Sequence, residues 1–158
     1  MRKSFLFILS ICLLSLTGCA IRSVPLATLA QTNNVKQFTL PSSDKAGLYI
    51  YRSSIIGGGL KKDIWVNNQC VGQSNSHIFF YREVPGDQEI TITTESEFSP
   101  NELKLMVQGG ENYFIEQYTK MGVFVYGANV RIMDSEVAKE IIKGLNMGIG
   151  NDCTTPTP

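Results

Sequence analysis

The chain has 158 residues, enough for one or two domains, with 14 Lys and Arg balancing 14 Asp and Glu and 43% hydrophobic residues. That composition excludes a disordered protein and a basic nucleic-acid binder. A single His excludes a His-rich metal site and a second catalytic imidazole. The neutrality is uneven: Arg2 and Lys3 are the only charges in the first eighteen residues, and beyond them 12 cations face 14 anions, a net of −2.

Arg2 and Lys3 precede an apolar run over residues 5–16, the order of a secretory signal. As a helix the run spans about 18 Å at ~1.5 Å per residue, short of the ~30 Å hydrocarbon core, so it is not a stable transmembrane anchor. It ends in Leu16-Thr17-Gly18-Cys19, which resembles the lipobox of bacterial lipoproteins. There the Cys becomes the first mature residue: its thiol accepts a diacylglyceryl group, and the small residues before it fit the signal peptidase. Lipidation of Cys19, with palmitate-type chains on sulfur and nitrogen, exceeds the two signals that stable anchoring takes. The alternative is an ordinary secretory signal cut elsewhere, with Cys19 incidental. Cys12 lies inside the apolar run and leaves with it. Ala20, not Asp, in the second mature position resembles the sorting pattern for the outer membrane, with the chain facing the periplasm.

The resulting division is a signal peptide over residues 1–18, a lipidated N-terminus and tether over 19–45, a folded domain over 46–146 and a tail over 147–158. Residues 20–45 are rich in Thr, Asn, Gln and Ser without a sustained period, which predicts a flexible tether with one short strand near residues 35–40.

From Ala46 onward, short apolar stretches broken by turn residues predict an all-β antiparallel sandwich, immunoglobulin-like or transthyretin-like, with one C-terminal helix. Residues 47–52 read as a strand. The glycine-rich loop that follows, with Gly57, Gly58 and Gly59 before Lys61 and Lys62, lacks the spacing of a phosphate-binding loop and leads into a strand at Ile64, Trp65 and Val66 rather than a helix. Asn67 and Asn68 tolerate the left-handed backbone of a tight turn and predict a hairpin. A further strand covers residues 77–84 and ends at Pro85-Gly86-Asp87. Ile90 and Ile92 then alternate with Glu89, Thr91 and Thr93. Leu103, Leu105 and Val107 alternate in the same way, residues 113–118 form another strand, and residues 123–132 a last strand or pair interrupted at Gly127. Asp134 or Ser135 caps a helix whose stripe of Val137, Ile141, Ile142 and Leu145 is predicted to dock on the sheet. Its two lysines are balanced by two glutamates, unlike a basic membrane-surface helix.

Setting aside Cys12 and Cys19 leaves Cys70 and Cys153, an even remainder that predicts a disulfide in an oxidising compartment. The alternative is two unpaired thiols, one packed and one in the tail. His77 is the one available base for a nucleophile and begins an aromatic strand, where a structural role is expected. The carboxylates Glu89, Glu95, Glu97, Glu102 and Glu111 are scattered over solvent faces and turns. No zinc spacing or calcium loop is present, so no cofactor and no metal is expected. Tyr49, Tyr51, Trp65, Phe79, Phe80, Tyr81, Tyr113 and Phe114 are expected in the core; the alternative is an aromatic groove or cavity.

Several of these segments together carry a resemblance. Ala46-Gly-Leu-Tyr-Ile-Tyr-Arg52, Ile64-Trp-Val-Asn-Asn-Gln-Cys-Val-Gly72, Val84-Pro-Gly86, Asn101-Glu-Leu and Gly109-Gly-Glu-Asn-Tyr-Phe-Ile115, in this order, resemble the bacterial lipoprotein family with domain of unknown function 2846 over about residues 46–145. The hairpin and Pro-Gly turn are also similar to a short surface-layer repeat named for its Pro-Glu-Gly-Ala motif, although Asp87-Gln88 stands where a His is common. The resemblance implies a β-rich domain on an envelope lipoprotein and supplies no activity and no site residues. The expectation is a non-enzymatic envelope module anchored in the bilayer through Cys19, with an envelope protein or glycan as partner and no nucleic acid. The alternative is a carrier of a small ligand or lipid, with an aromatic cavity between the sheets.

Overall fold

The computed structural model describes residues 24–54, 59–150 and Cys153. The expected signal, Cys12, Cys19 and residues 55–58 of the glycine-rich loop lie outside the described residues. Strands β1 (Lys45–Arg52), β2 (Lys62–Val66), β3 (Gln69–Ser74), β4 (Ile78–Pro85), β5 (Gln88–Thr94), β6 (Asn101–Val107), β7 (Asn112–Lys120), β8 (Gly127–Ile132) and β9 (Asn146–Met147) form two sheets. The first has the order β8-β7-β1-β4-β9 and the second β3-β2-β5-β6.

Alternation along the strands builds the core. Ala46, Leu48 and Ile50 of β1 point inward and meet Ile64 and Val66 of β2, Ile90 and Ile92 of β5, Phe80 of β4 and Ile115 of β7, all buried in one cluster. The outward residues of the same strands are aromatic. Tyr49, Tyr51, Phe79 and Phe114 form a second cluster with Ala138, Ile142 and Leu145, and Tyr49 stacks on Phe114 with ring centroids 5.0 Å apart. The last three residues come from helix α2 (Ser135–Lys143) and the turn after it, so the molecule has three layers: helix, sheet, sheet.

Asp134 caps α2, its carboxylate accepting from the amides of Glu136 and Val137 at 3.0 and 3.1 Å. The buried stripe is rotated from the predicted one: Ala138 and Ile142 are buried, while Val137 is 52% exposed. Two stripes overlap in this sequence, and the smaller residue wins because Ala lets the helix lie close on the aromatic face of the sheet.

The expected tether differs most. Residues 29–35 form helix α1 (Leu29–Val35), closed by a capping box in which Thr28 and Gln31 satisfy each other's backbone amides. Just beyond it Lys36 donates to the carbonyls of Lys143 and Leu145 at 2.8 and 2.6 Å, a cation on the last carbonyls of α2, and burial lowers its pKa. No strand covers residues 35–40. Instead Val35 and Phe38 pack on the aromatic cluster. Earlier still, Ala27 donates to Met147 O at 2.9 Å and Ile149 to Pro25 O at 2.8 Å, which attaches residues 25–27 to the edge of the first sheet.

The first sheet is mixed where an antiparallel one was expected. β1 and β7 are parallel from Gly47↔Asn112 to Tyr51↔Glu116, as are β4 and β9. The reason is connectivity: β5 and β6 lie in the second sheet, and the Gln108–Glu111 turn returns the chain beside the start of β1, where Gly110 donates to Lys45 O. The hairpin turn is as predicted, with φ of 48° at Asn67 and 61° at Asn68. The Pro-Gly and Gly-Gly turns touch each other, and a Cβ on Gly86 would lie 2.5 Å from Gly109 Cα.

Candidate functional site

Strand register brings four loops to one end of the sandwich. Arg52 pairs with Ile78, Lys62 with Ser74 and Thr94 with Asn101, and β7 runs parallel to β1, so the loops after β1, β3, β5 and β7 all open there.

Beneath these loops the inward positions become polar. Arg52 continues the phase of Ala46, Leu48 and Ile50 and is 1% exposed. Its guanidinium donates to Leu60 O at 2.7 Å and to Thr119 Oγ1 at 2.8 Å. Gln117, fully buried, donates to Thr94 Oγ1 at 2.6 Å, and the Thr94 hydroxyl donates to Asp63 O at 2.9 Å. Ser74 Oγ closes the set against Gln117 Oε1 and Lys62 O. Gln117 comes from the first sheet and Ser74, Thr94, Lys62 and Asp63 from the second, so this network ties the two sheets together where the apolar core stops.

Above the network stands an apolar tip. Met121, Val123, Phe124 and Val125 of the β7–β8 loop are 82%, 76%, 83% and 57% exposed, and Phe98 of the β5–β6 loop is 77% exposed. The tip is built by one carboxylate: Glu97 accepts from the backbone amides of Val123 at 2.6 Å, Phe124, and Val125 at 3.3 Å. Desolvation raises the Glu97 pKa, but the three amide bonds together outweigh it and hold the carboxyl below its usual value. Gly122 permits the approach, since a Cβ there would sit 2.1 Å from both Glu97 Oε2 and Val125 O. Beside the tip lies an open cleft of about 350 Å³ lined by residues that include Glu97, Phe98, Lys120 and Met121. Residues 123–126 were expected to begin a strand; they are loop, because Glu97 binds the amides that a ladder would have used.

Of the residues picked out from the sequence, Cys70 and Cys153 are joined by a disulfide with Cα atoms 5.9 Å apart, which fastens the tail to β3. Cys19 lies outside the described residues. His77 sits in the turn before β4 with φ of 63°, is exposed, and uses its backbone to bridge Arg52 O and the Asn146 amide. Tyr49, Tyr51, Trp65, Phe79, Phe80 and Phe114 are all at most 2% exposed, and Tyr81 and Tyr113 are half-buried. Glu95 pairs with Lys62 at 3.6 Å. Lys62 opens β2, so the glycine-rich loop leads into a strand as predicted.

Glu97 and the tip were missed in the sequence, where Glu97 reads as one solvent carboxylate among five. The available signal was Val123-Phe124-Val125-Tyr126, a consecutive apolar run in a chain whose half-exposed strands otherwise alternate. Arg52 and Gln117 carried a similar signal, as polar residues in phase with an inward face.

The β-rich region coincides with a match to known sequences. Residues 42–128 match the family described as protein of unknown function (DUF2846). An uncharacterized protein of Haemophilus influenzae is 44% identical over 138 residues, which cover 87% of this chain and 80% of that protein. No solved structure matches the chain.

Proposed function

The chain belongs to the DUF2846 family, and from that premise we propose that it is a lipid-anchored envelope lipoprotein, held through Cys19 at the periplasmic face of the outer membrane and acting as a non-enzymatic interaction module. The anchor rests on the charge-then-apolar leader and on Leu16-Thr17-Gly18-Cys19. The Cys70–Cys153 disulfide accords with an oxidising compartment. The observation that carries the interaction role is the tip. Five large apolar side chains stand in solvent there, four on the β7–β8 loop that Glu97 has already ordered and Phe98 on the β5–β6 loop beside it, and such groups at a surface mark contact sites.

Metabolic acyl labelling tests the anchor. Wild-type chain takes up labelled palmitate, the Cys19→Ala variant accumulates as an unlabelled precursor, and equal labelling of the two would refute it. A photo-crosslinker at position 124 in intact cells tests the module. Capture of an envelope component at this position but not at exposed Glu89 on the opposite end supports it, and absence of any adduct counts against it.

A further inference from the structure

The occupant of the tip follows from where the chain enters the domain. Cys19 is five residues from Val24, the first described residue. Fully extended, that linker reaches at most about 17 Å, so a lipidated Cys19 keeps the whole domain at the bilayer surface.

Val24 lies on the β9 edge. Leu26 is level with Gly148, two rungs in from the Ile78 end of β4, which puts Val24 four rungs in. On the far side of the sheet, Tyr51 pairs with Glu116, and β7 continues four residues to Lys120 before the tip begins. At ~3.3 Å per residue and ~4.8 Å between strands, the tip stands roughly 26 Å ahead of Val24 along the strands and about 24 Å to its side. With the strands along the membrane normal, the linker falls short. A lean of about 30° toward the β9 edge lowers Val24 and brings the tip to roughly 10 Å in height from it, within the linker's reach.

We propose that Met121, Val123, Phe124, Val125 and Phe98 seat in the interfacial layer of the same membrane to which Cys19 anchors the chain, giving the domain a second point of contact. The inference rests on the lipoprotein reading above. The chemistry of the tip suits this layer. Backbone amides carried into hydrocarbon need partners, and Glu97 satisfies those of Val123, Phe124 and Val125 before contact. Lys120, exposed at the base of the loop, is placed to extend its ammonium to the headgroups while its stem lies along the apolar side. Glu97 acts as a positioning residue.

The test uses full-length lipoprotein purified from membranes, with Phe124→Trp, reconstituted in vesicles of phosphatidylethanolamine and phosphatidylglycerol. The native Trp65 is 2% exposed and is subtracted with the parent protein. Seating in the interface predicts that lipids brominated in the acyl chains quench the Trp at position 124 about twofold while aqueous iodide leaves it unaffected. Glu97→Ala in the same background reduces bromine quenching and restores iodide quenching. Iodide quenching without bromine quenching in acylated protein overturns the inference and leaves the anchor standing, and protection from both by a co-purified protein overturns it in favour of a protein partner. Absence of acyl label on the preparation fails the anchor itself and removes the inference with it, so the two failures are distinguished by mass.

Discussion

Breaking the Cys70–Cys153 bond should lower stability substantially and loosen one edge of the first sheet before the rest. The bond closes a segment with a sequence separation of 83, and loop-closure entropy for that length amounts to roughly 4.5 kcal/mol at 25 °C. This is an upper figure, because a denatured chain retains some compactness, so the expected loss is about 2–4 kcal/mol. At about 3–5 °C per kcal/mol for a chain of this size, Tm falls by roughly 10 °C. The effect has a local component as well. The tail held by Cys153 continues from β9, where Gly148 donates to Phe79 O at 2.8 Å and Ile149 to Pro25 O at 2.8 Å. Thermal unfolding by circular dichroism, with and without reductant, reads the global term, and the paired Cys70→Ser and Cys153→Ser variant should match the reduced wild type and ignore reductant. Hydrogen exchange reads the local term: amides of Ala27, Gly148 and Ile149 should speed up more than that of Ile50 in the central strand. A stability change under about 0.5 kcal/mol, or a uniform rise in exchange, would refute the reasoning.

Other parts of the structure yield further expectations. Gln117→Ala removes both the tie to Thr94 and the contact with Ser74 and leaves a cavity, so it should cost about 2–4 kcal/mol in chemical denaturation; a loss under ~1 kcal/mol would mean the network is not coupled to folding. Tyr49 and Tyr51 differ in one respect that a pair of substitutions reads out. Tyr49→Phe loses a 3.1 Å bond to Val35 O and should cost about 1 kcal/mol, whereas Tyr51 has a buried hydroxyl with no partner among the described residues, so Tyr51→Phe should be neutral or stabilising. Burial, with Glu116 near Tyr51 and Glu83 near Tyr81, pushes both phenols up to about 12, and burial raises Tyr49 as well. Their folded values exceed the ordinary 10.0, so this stability is present in full below pH 10.0 and is lost as pH rises toward about 12. Absorbance titration at alkaline pH should therefore show these three of the six tyrosines ionising late, together with unfolding; six equivalent tyrosines in a still-folded chain would contradict it.

Much of the fold was readable locally. Alternation at Ile90 and Ile92, the Asn67-Asn68 turn, Asp134 at the helix start and the pairing of the last two cysteines each follow from rules that act over a few residues or from simple parity, and each is present in the structure. The departures share a different cause. Helix α1 is seven residues long and largely polar, too short to hold alone, and it depends on Lys36 reaching carbonyls over a hundred positions away. The choice of Ala138 over Val137 for the sheet, and the parallel pairing of β1 with β7, depend on which surfaces meet.

The sequence by itself determined that the body of the chain is β-rich and that Cys70 and Cys153 pair. These are matters of composition, period and count. Only the tertiary structure decided that residues 25–38 are part of the folded unit, that polar residues from both sheets bind one another below the loops, and that Glu97 gathers three amides and presents an apolar tip. Such features arise between residues distant in sequence, where hydrogen bonds and packing are set by the geometry of the assembled sheets and leave no local period to read.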